Sequence, residues 1–88
     1  MELTVVINND SLSLYKEIKE KLENTSLKIK CYNEDIYKDR QKAFKVKGGY
    51  SARKTPFAVY TDDGPKKAFY SEDGSCTTDN IINYLFEL

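Results

Sequence analysis

Apolar positions along the chain change their spacing several times, and each change marks an element. Residues 3–7, Leu-Thr-Val-Val-Ile, form a short apolar run rich in β-branched side chains. That length and composition predict a strand buried on both faces. Residues 8–11, Asn-Asn-Asp-Ser, carry turn and cap chemistry. Asp10 or Ser11 is expected to accept a hydrogen bond from the first free amides of a helix. Leu14, Ile18 and Leu22 then recur at helical spacing, with alternating lysines and glutamates between them. This is an amphipathic helix, expected to end near Asn24, a residue that tolerates the left-handed cap position.

Residues 27–32 alternate with period two: Leu27, Ile29 and Cys31 on one face, Lys28, Lys30 and Tyr32 on the other. A half-exposed strand near a sheet edge follows, its lysines discouraging edge-to-edge pairing. Asn33 or Asp35 is placed to cap a second helix with Ile36, Arg40, Ala43 and Phe44 toward its inner face. Gly48 and Gly49 are expected to end that helix. Thr55-Pro56 then leads into an apolar strand over residues 57–61. Proline lacks the ladder N–H, so it belongs at or just before the first strand position. Asp-Asp-Gly-Pro at residues 62–65 is a strong turn signal between two closely spaced strands, the second over residues 67–71, and predicts a hairpin. A last helix is expected from about Thr77, with Ile81, Ile82, Leu85 and Leu88 as its buried stripe. The order is β-α-β-α-β-β-α, a single α/β domain over residues 1–88 with a four-stranded mixed sheet and three helices. Any crossover between parallel neighbours should be right-handed.

Composition narrows the chemistry. The 88 residues carry 14 Lys plus Arg and 14 Asp plus Glu, so the formal charge is zero. That balance speaks against broad nucleic-acid binding, which needs a basic face. Local basic clusters at residues 38–42 and 45–47 are partly offset by Glu34, Asp35 and Asp39. Histidine is absent, which removes Ser-His and Cys-His nucleophile pairs and imidazole metal sites. The first residues lack the basic and apolar regions of a signal peptide, and no apolar run approaches the roughly 20 residues of a membrane span. A cytoplasmic protein is expected. Cys31 and Cys76 are far apart, with neither zinc-site nor disulfide-framework spacing.

The element order, with a proline opening the first strand of a terminal ββα unit, resembles the thioredoxin fold of glutaredoxins and thioredoxins. Tyr50, Arg53 and Pro56 stand at the spacing of the Tyr-x-x-Arg-x-x-Pro segment of many thioredoxins. There the proline is cis and faces the active site, so the resemblance implies a cis peptide at Pro56. The Asp62-Asp63-Gly64 turn is similar to the thioredoxin hairpin. Gly74-Ser75-Cys76-Thr77 resembles the Gly-Gly-Cys-Asp segment that opens the last helix of glutaredoxins. The topological likeness spans the whole chain; the sequence likeness is concentrated in residues 50–77. Short glutaredoxin-like proteins of this kind are frequent in bacteriophages, so the resemblance implies a phage or bacterial source; the Lys-, Asn-, Ile- and Tyr-rich usage hints only at AT-rich coding.

One departure decides the chemistry. The family's Cys-x-x-Cys follows the first strand, where this chain reads Asn-Asp-Ser-Leu-Ser at residues 9–13. Dithiol exchange needs a thiolate at a helix start and a second thiol to resolve the mixed disulfide. Serine hydroxyls form no reducible bond, so dithiol oxidoreductase activity is expected to be absent. The leading reading is a non-catalytic domain that binds an unknown protein or peptide, or serves as scaffold. Thr55 and Pro56 would offer backbone hydrogen bonds to an extended chain, and Arg53 an anion contact. Asn9, Asp10 and Ser11 would line the remnant pocket, with Ser75 and Cys76 beside it. The second reading makes Cys76 a single redox thiol activated by helix amides, with glutathione as ligand, since the family binds the glutathione carboxylate near this helix end. Cys31 reads as plain core. The third reading is a structural or assembly subunit, a monomer or weak homodimer, using Tyr32, Tyr37, Tyr50 and Tyr70 as a surface with basic neighbours. No metal and no resident cofactor are expected.

Overall fold

The computed structural model describes residues 1–87, so the expected contribution of Leu88 to the last helix lies outside the described residues. Four strands, β1 (Glu2–Ile7), β2 (Lys28–Asn33), β3 (Phe57–Thr61) and β4 (Pro65–Tyr70), form one sheet in the order β2-β1-β3-β4. Three helices, α1 (Leu12–Leu22), α2 (Tyr37–Gly49) and α3 (Thr78–Phe86), cover its two faces. β1 runs parallel to β2 and antiparallel to β3, and β3 is antiparallel to β4 with an irregularity at Tyr60/Thr61. The sheet is therefore mixed, as the element pattern predicts.

The central strands feed two separate cores. Leu3, Val5 and Ile7 of β1, with Ala58 and Tyr60 of β3, pack with Ile18, Leu22, Phe69, Ile81 and Ile82. Val6, Phe57 and Val59 point to the other side and meet Ala43 and Ala52. Alternation along each strand delivers one set to each side. This accounts for the unbroken apolar run at residues 3–7: β1 has no wet face. α1 and α3 share the first side, while α2 covers the second. β2 is an edge strand with Lys28 and Lys30 exposed, but Tyr32 on the same face packs into the second core beside α2.

Four local expectations need correction. Neither Asp10 nor Ser11 caps α1 with its side chain. The Ser11 hydroxyl instead donates to Asn8 Oδ1 at 2.8 Å and accepts from the Asn8 N–H at 2.9 Å, closing a 3-10 turn over Asn9–Ser11. Asn24 does not take up the left-handed region; among the described residues, the non-glycine positions that do are Ser51 and Asp63. α2 has no side-chain cap from Asn33 or Asp35, and Ile36 is its N-cap. Of the inner face expected for α2, only Ala43 is buried; Ile36, Arg40 and Phe44 are exposed. The buried face is instead Ala43 and Lys47, flanked by Asp39, Val46 and Tyr50. A lysine and an aspartate on the inner stripe hide its period from a hydrophobic reading. As expected, Gly48 and Gly49 end α2, and the left-handed turn falls just beyond them on Ser51.

The remaining elements follow their signals closely. β3 begins immediately after Pro56, and the Thr55–Pro56 peptide bond is cis. β4 starts two residues earlier than the alternation suggests, at Pro65. Gly64, at φ +116°, makes the hairpin turn in a region that L side chains rarely enter. Thr77 caps α3, its hydroxyl accepting from the Asn80 N–H at 3.1 Å. At the hairpin end of the sheet, Met1, Leu22, Leu27, Tyr60, Leu85 and Phe86 line an apolar cleft of about 150 Å³.

Candidate functional site

Parallel pairing sets Ile7 beside Asn33 at the carboxyl ends of β1 and β2. Antiparallel pairing brings Phe57, the first residue of β3, next to Val6, and Tyr70, the last of β4, next to Phe57. Four connecting segments therefore converge on one end of the sheet: residues 8–11, 34–36, 50–56 and 71–77. The chain leaves β1 toward one face and β2 toward the other. In open α/β sheets that divergence opens a crevice in which ligands bind.

Here the chain's own polar groups bridge that crevice. The Asn9 N–H donates to Asp35 Oδ2 at 2.7 Å, and Asn33 Nδ2 donates to Asn9 Oδ1 at 3.1 Å. Asn33 Oδ1 accepts from the Asp35 N–H at 2.9 Å, and the Asn33 N–H donates to Asp39 Oδ2 at 3.3 Å. Asn33 is buried, so this saturation matters: an unpaired amide there would cost on the order of 1–3 kcal/mol.

A second network anchors the loop that carries Pro56. Lys47 Nζ donates to Glu34 Oε1 at 3.1 Å and to Thr55 Oγ1 at 2.7 Å, while the Thr55 hydroxyl donates to the same Glu34 oxygen. The Lys47 side chain is only 10% exposed and that of Glu34 20%. A cation this secluded needs both partners. The segment after β4 closes the far side. The Ser71 hydroxyl donates to the Pro56 carbonyl, and the Arg53 N–H donates to Glu72 Oε2 at 2.8 Å. That amide holds the Glu72 carboxyl below its ordinary range.

The expected site residues divide into two groups. Asn9, Asp10, Ser11, Arg53, Thr55 and Pro56 do gather at this end. The Asp10 and Arg53 side chains are exposed, and Thr55 and Pro56 half-exposed. Ser75 is used internally: its hydroxyl accepts from the Tyr70 N–H at 2.8 Å and its own N–H donates to Asp73 Oδ1 at 2.9 Å. Cys76 is 8% exposed and packs in the first core. Its N–H is already committed to the Tyr70 carbonyl at 3.1 Å. Burial, reinforced by the Asp73 carboxylate, pushes its thiol up to about 12. This is the reverse of the activated thiolate expected from its place before α3. Desolvation outweighs any helix-start field when the sulfur faces the core. Cys31, half-buried on β2, is pushed up to about 11 by the same cause and by Asp39.

Sequence reasoning missed Asn33, Glu34, Lys47, Ser71 and Glu72. Lys47 had a visible signal, since it stands four residues after Ala43 on the stripe that also holds Asp39. The contacts of Ser71 and Glu72 are long-range and leave no local pattern. Among the described residues, no group of three or more Cys, Asp and Glu side chains could hold a metal ion, and no helix is long and apolar enough to cross a membrane. What this end leaves free is hydrogen-bonding capacity. None of the turn, loop and cap backbone bonds of the described residues uses the Thr55 N–H or carbonyl. Compared with known proteins, the chain matches no family model, no curated relative and no solved structure.

Proposed function

We propose that this chain is a thioredoxin-like domain without dithiol chemistry, which binds an extended peptide segment at the loop carrying Thr55 and Pro56. The unpaired Thr55 backbone carries the reading. A half-exposed residue just before a strand, with free N–H and carbonyl, offers main-chain hydrogen bonds to an added extended segment. The surrounding networks favour this use. Lys47, Glu34 and Ser71 hold the loop from both sides, so little ordering is needed when a partner arrives. Arg53, exposed on that loop, and Asp10, exposed at the same end of the sheet, would select side chains of opposite charge on the incoming segment. The strand order and the ββα ending support the thioredoxin-like reading. The serines at residues 11 and 13, in place of thiols, support a binding role over exchange.

Two measurements test it. A peptide selected from a random library on the immobilised chain should, in nitrogen-15 spectra, shift the amides of Thr55 and Phe57 and leave those of the hairpin turn unmoved. Selected binders whose shifts all lie elsewhere would overturn the binding site. Reduction of insulin by the purified chain with dithiothreitol should not exceed that by dithiothreitol alone; a rate above that background would overturn the non-catalytic reading.

A further inference from the structure

The outward face of α2 has no role in the preceding reading. Tyr37 is 87% exposed and Phe44 54% exposed, both unusually open for large rings in a small domain. They stand seven residues apart, two helical turns or roughly 10.5 Å along one face. A shallow groove of about 450 Å³ runs between them, lined also by Lys38, Arg40 and Gln41. Asp39 is the single carboxylate between Ile36 and Gly49, and it turns inward to the Asn33 amide. Among the described residues, Lys38, Arg40 and Lys45 take part in no ion pair. The chain is neutral overall, so this face is a basic and aromatic patch on a balanced molecule.

Charge decides the occupant. A second copy docking through the same face would set Lys38, Arg40 and Lys45 against themselves. A polynucleotide needs an extended cationic track, and here three cations flank two rings on a neutral chain. Two apolar anchors at a seven-residue spacing with cations on both flanks match the apolar stripe and acidic sides of an amphipathic helix. We propose that the outward face of α2 docks an acidic amphipathic helix from a partner protein, with Tyr37 and Phe44 as its anchors. This surface is independent of the Thr55 loop.

The probe is a synthetic peptide of about four helical turns with leucine at anchor spacing and glutamate elsewhere. It is titrated into the full nitrogen-15-labelled chain, beside the same peptide with lysine for glutamate and an oligo-dT strand. Saturable amide shifts confined to residues 36–49 are expected for the acidic peptide alone. Tyr37→Ala combined with Phe44→Ala should weaken binding about tenfold or more, and Lys38→Glu should weaken it without touching a ring. Arg53→Ala should leave it unchanged, which separates this face from the Thr55 loop. Both rings are exposed, so an unchanged far-ultraviolet spectrum will show that the double variant is folded. Failure of the acidic peptide to saturate, shifts centred on residues 53–57, equal binding of the lysine peptide, or tighter binding of oligo-dT on α2 would each overturn the proposal.

Discussion

Lys47 shows how one buried charge organises its surroundings. Its ammonium joins α2, the segment after β2 and the loop before β3 through Glu34 and Thr55. Removing the carboxylate leaves a secluded cation with one neutral partner. Glu34→Ala is therefore expected to lower unfolding free energy by about 2 kcal/mol, less than a fully buried pair would lose because both side chains keep some exposure. Urea denaturation measures it, and Glu34→Leu combined with Lys47→Met should recover most of the loss. Cys76 supplies a second expectation. Its thiol is pushed from 9.0 up to about 12, so above pH 9 the unfolded chain releases a proton that the folded chain retains. The slope of stability with pH is then negative. The contribution is complete below pH 9 and is lost as pH rises toward 12. Cys76→Ala should lose less stability than the parent between pH 8.5 and 10.5, and iodoacetamide should label native Cys76 far more slowly than a free peptide thiol. The position of Cys76 could be read from sequence. The direction in which its sulfur points could not, because that depends on how α3 packs.

At the scale of elements, legibility followed the purity of the hydrophobic stripe. α1 and α3 present clean apolar faces, and both were readable from spacing: Ile18, Leu22, Ile81 and Ile82 are all buried. The turn at Asp63-Gly64 and the strand opening after Pro56 were equally clear, because backbone chemistry alone dictates them. α2 was legible as a helix and misread as a face. Its inner stripe includes Asp39 and Lys47, while its exposed side carries Phe44, so hydrophobicity points the wrong way. Ordinary periodicity arguments assume that polar side chains face water, and the buried Lys47, paired with Glu34, breaks that assumption. A matched pair of substitutions checks the assignment. Phe44→Ala should change stability by no more than about 0.5 kcal/mol, whereas Ala43→Leu should cost about 1–3 kcal/mol by overpacking the second core. Thermal or urea unfolding reads both.

For the whole molecule, the governing fact is that β1 and β3 serve both cores at once. Neither side can open fully without exposing the strands shared with the other, which favours a single cooperative transition. Hydrogen exchange should therefore find the slowest amides in β1 and β3. Exchange in the last turns of α2 should be among the fastest in any helix, since two glycines and few buried side chains hold them. The same layout governs how the protein can be handled. Met1, Leu85 and Phe86 border one cleft at the hairpin end, across the sheet from Thr55. A surface linkage or fused carrier attached at residue 1 would hang from the far pole and leave the loop before β3 facing outward. Sensor chips, affinity resins and display vectors can all use that attachment without masking the end where a peptide is expected to bind.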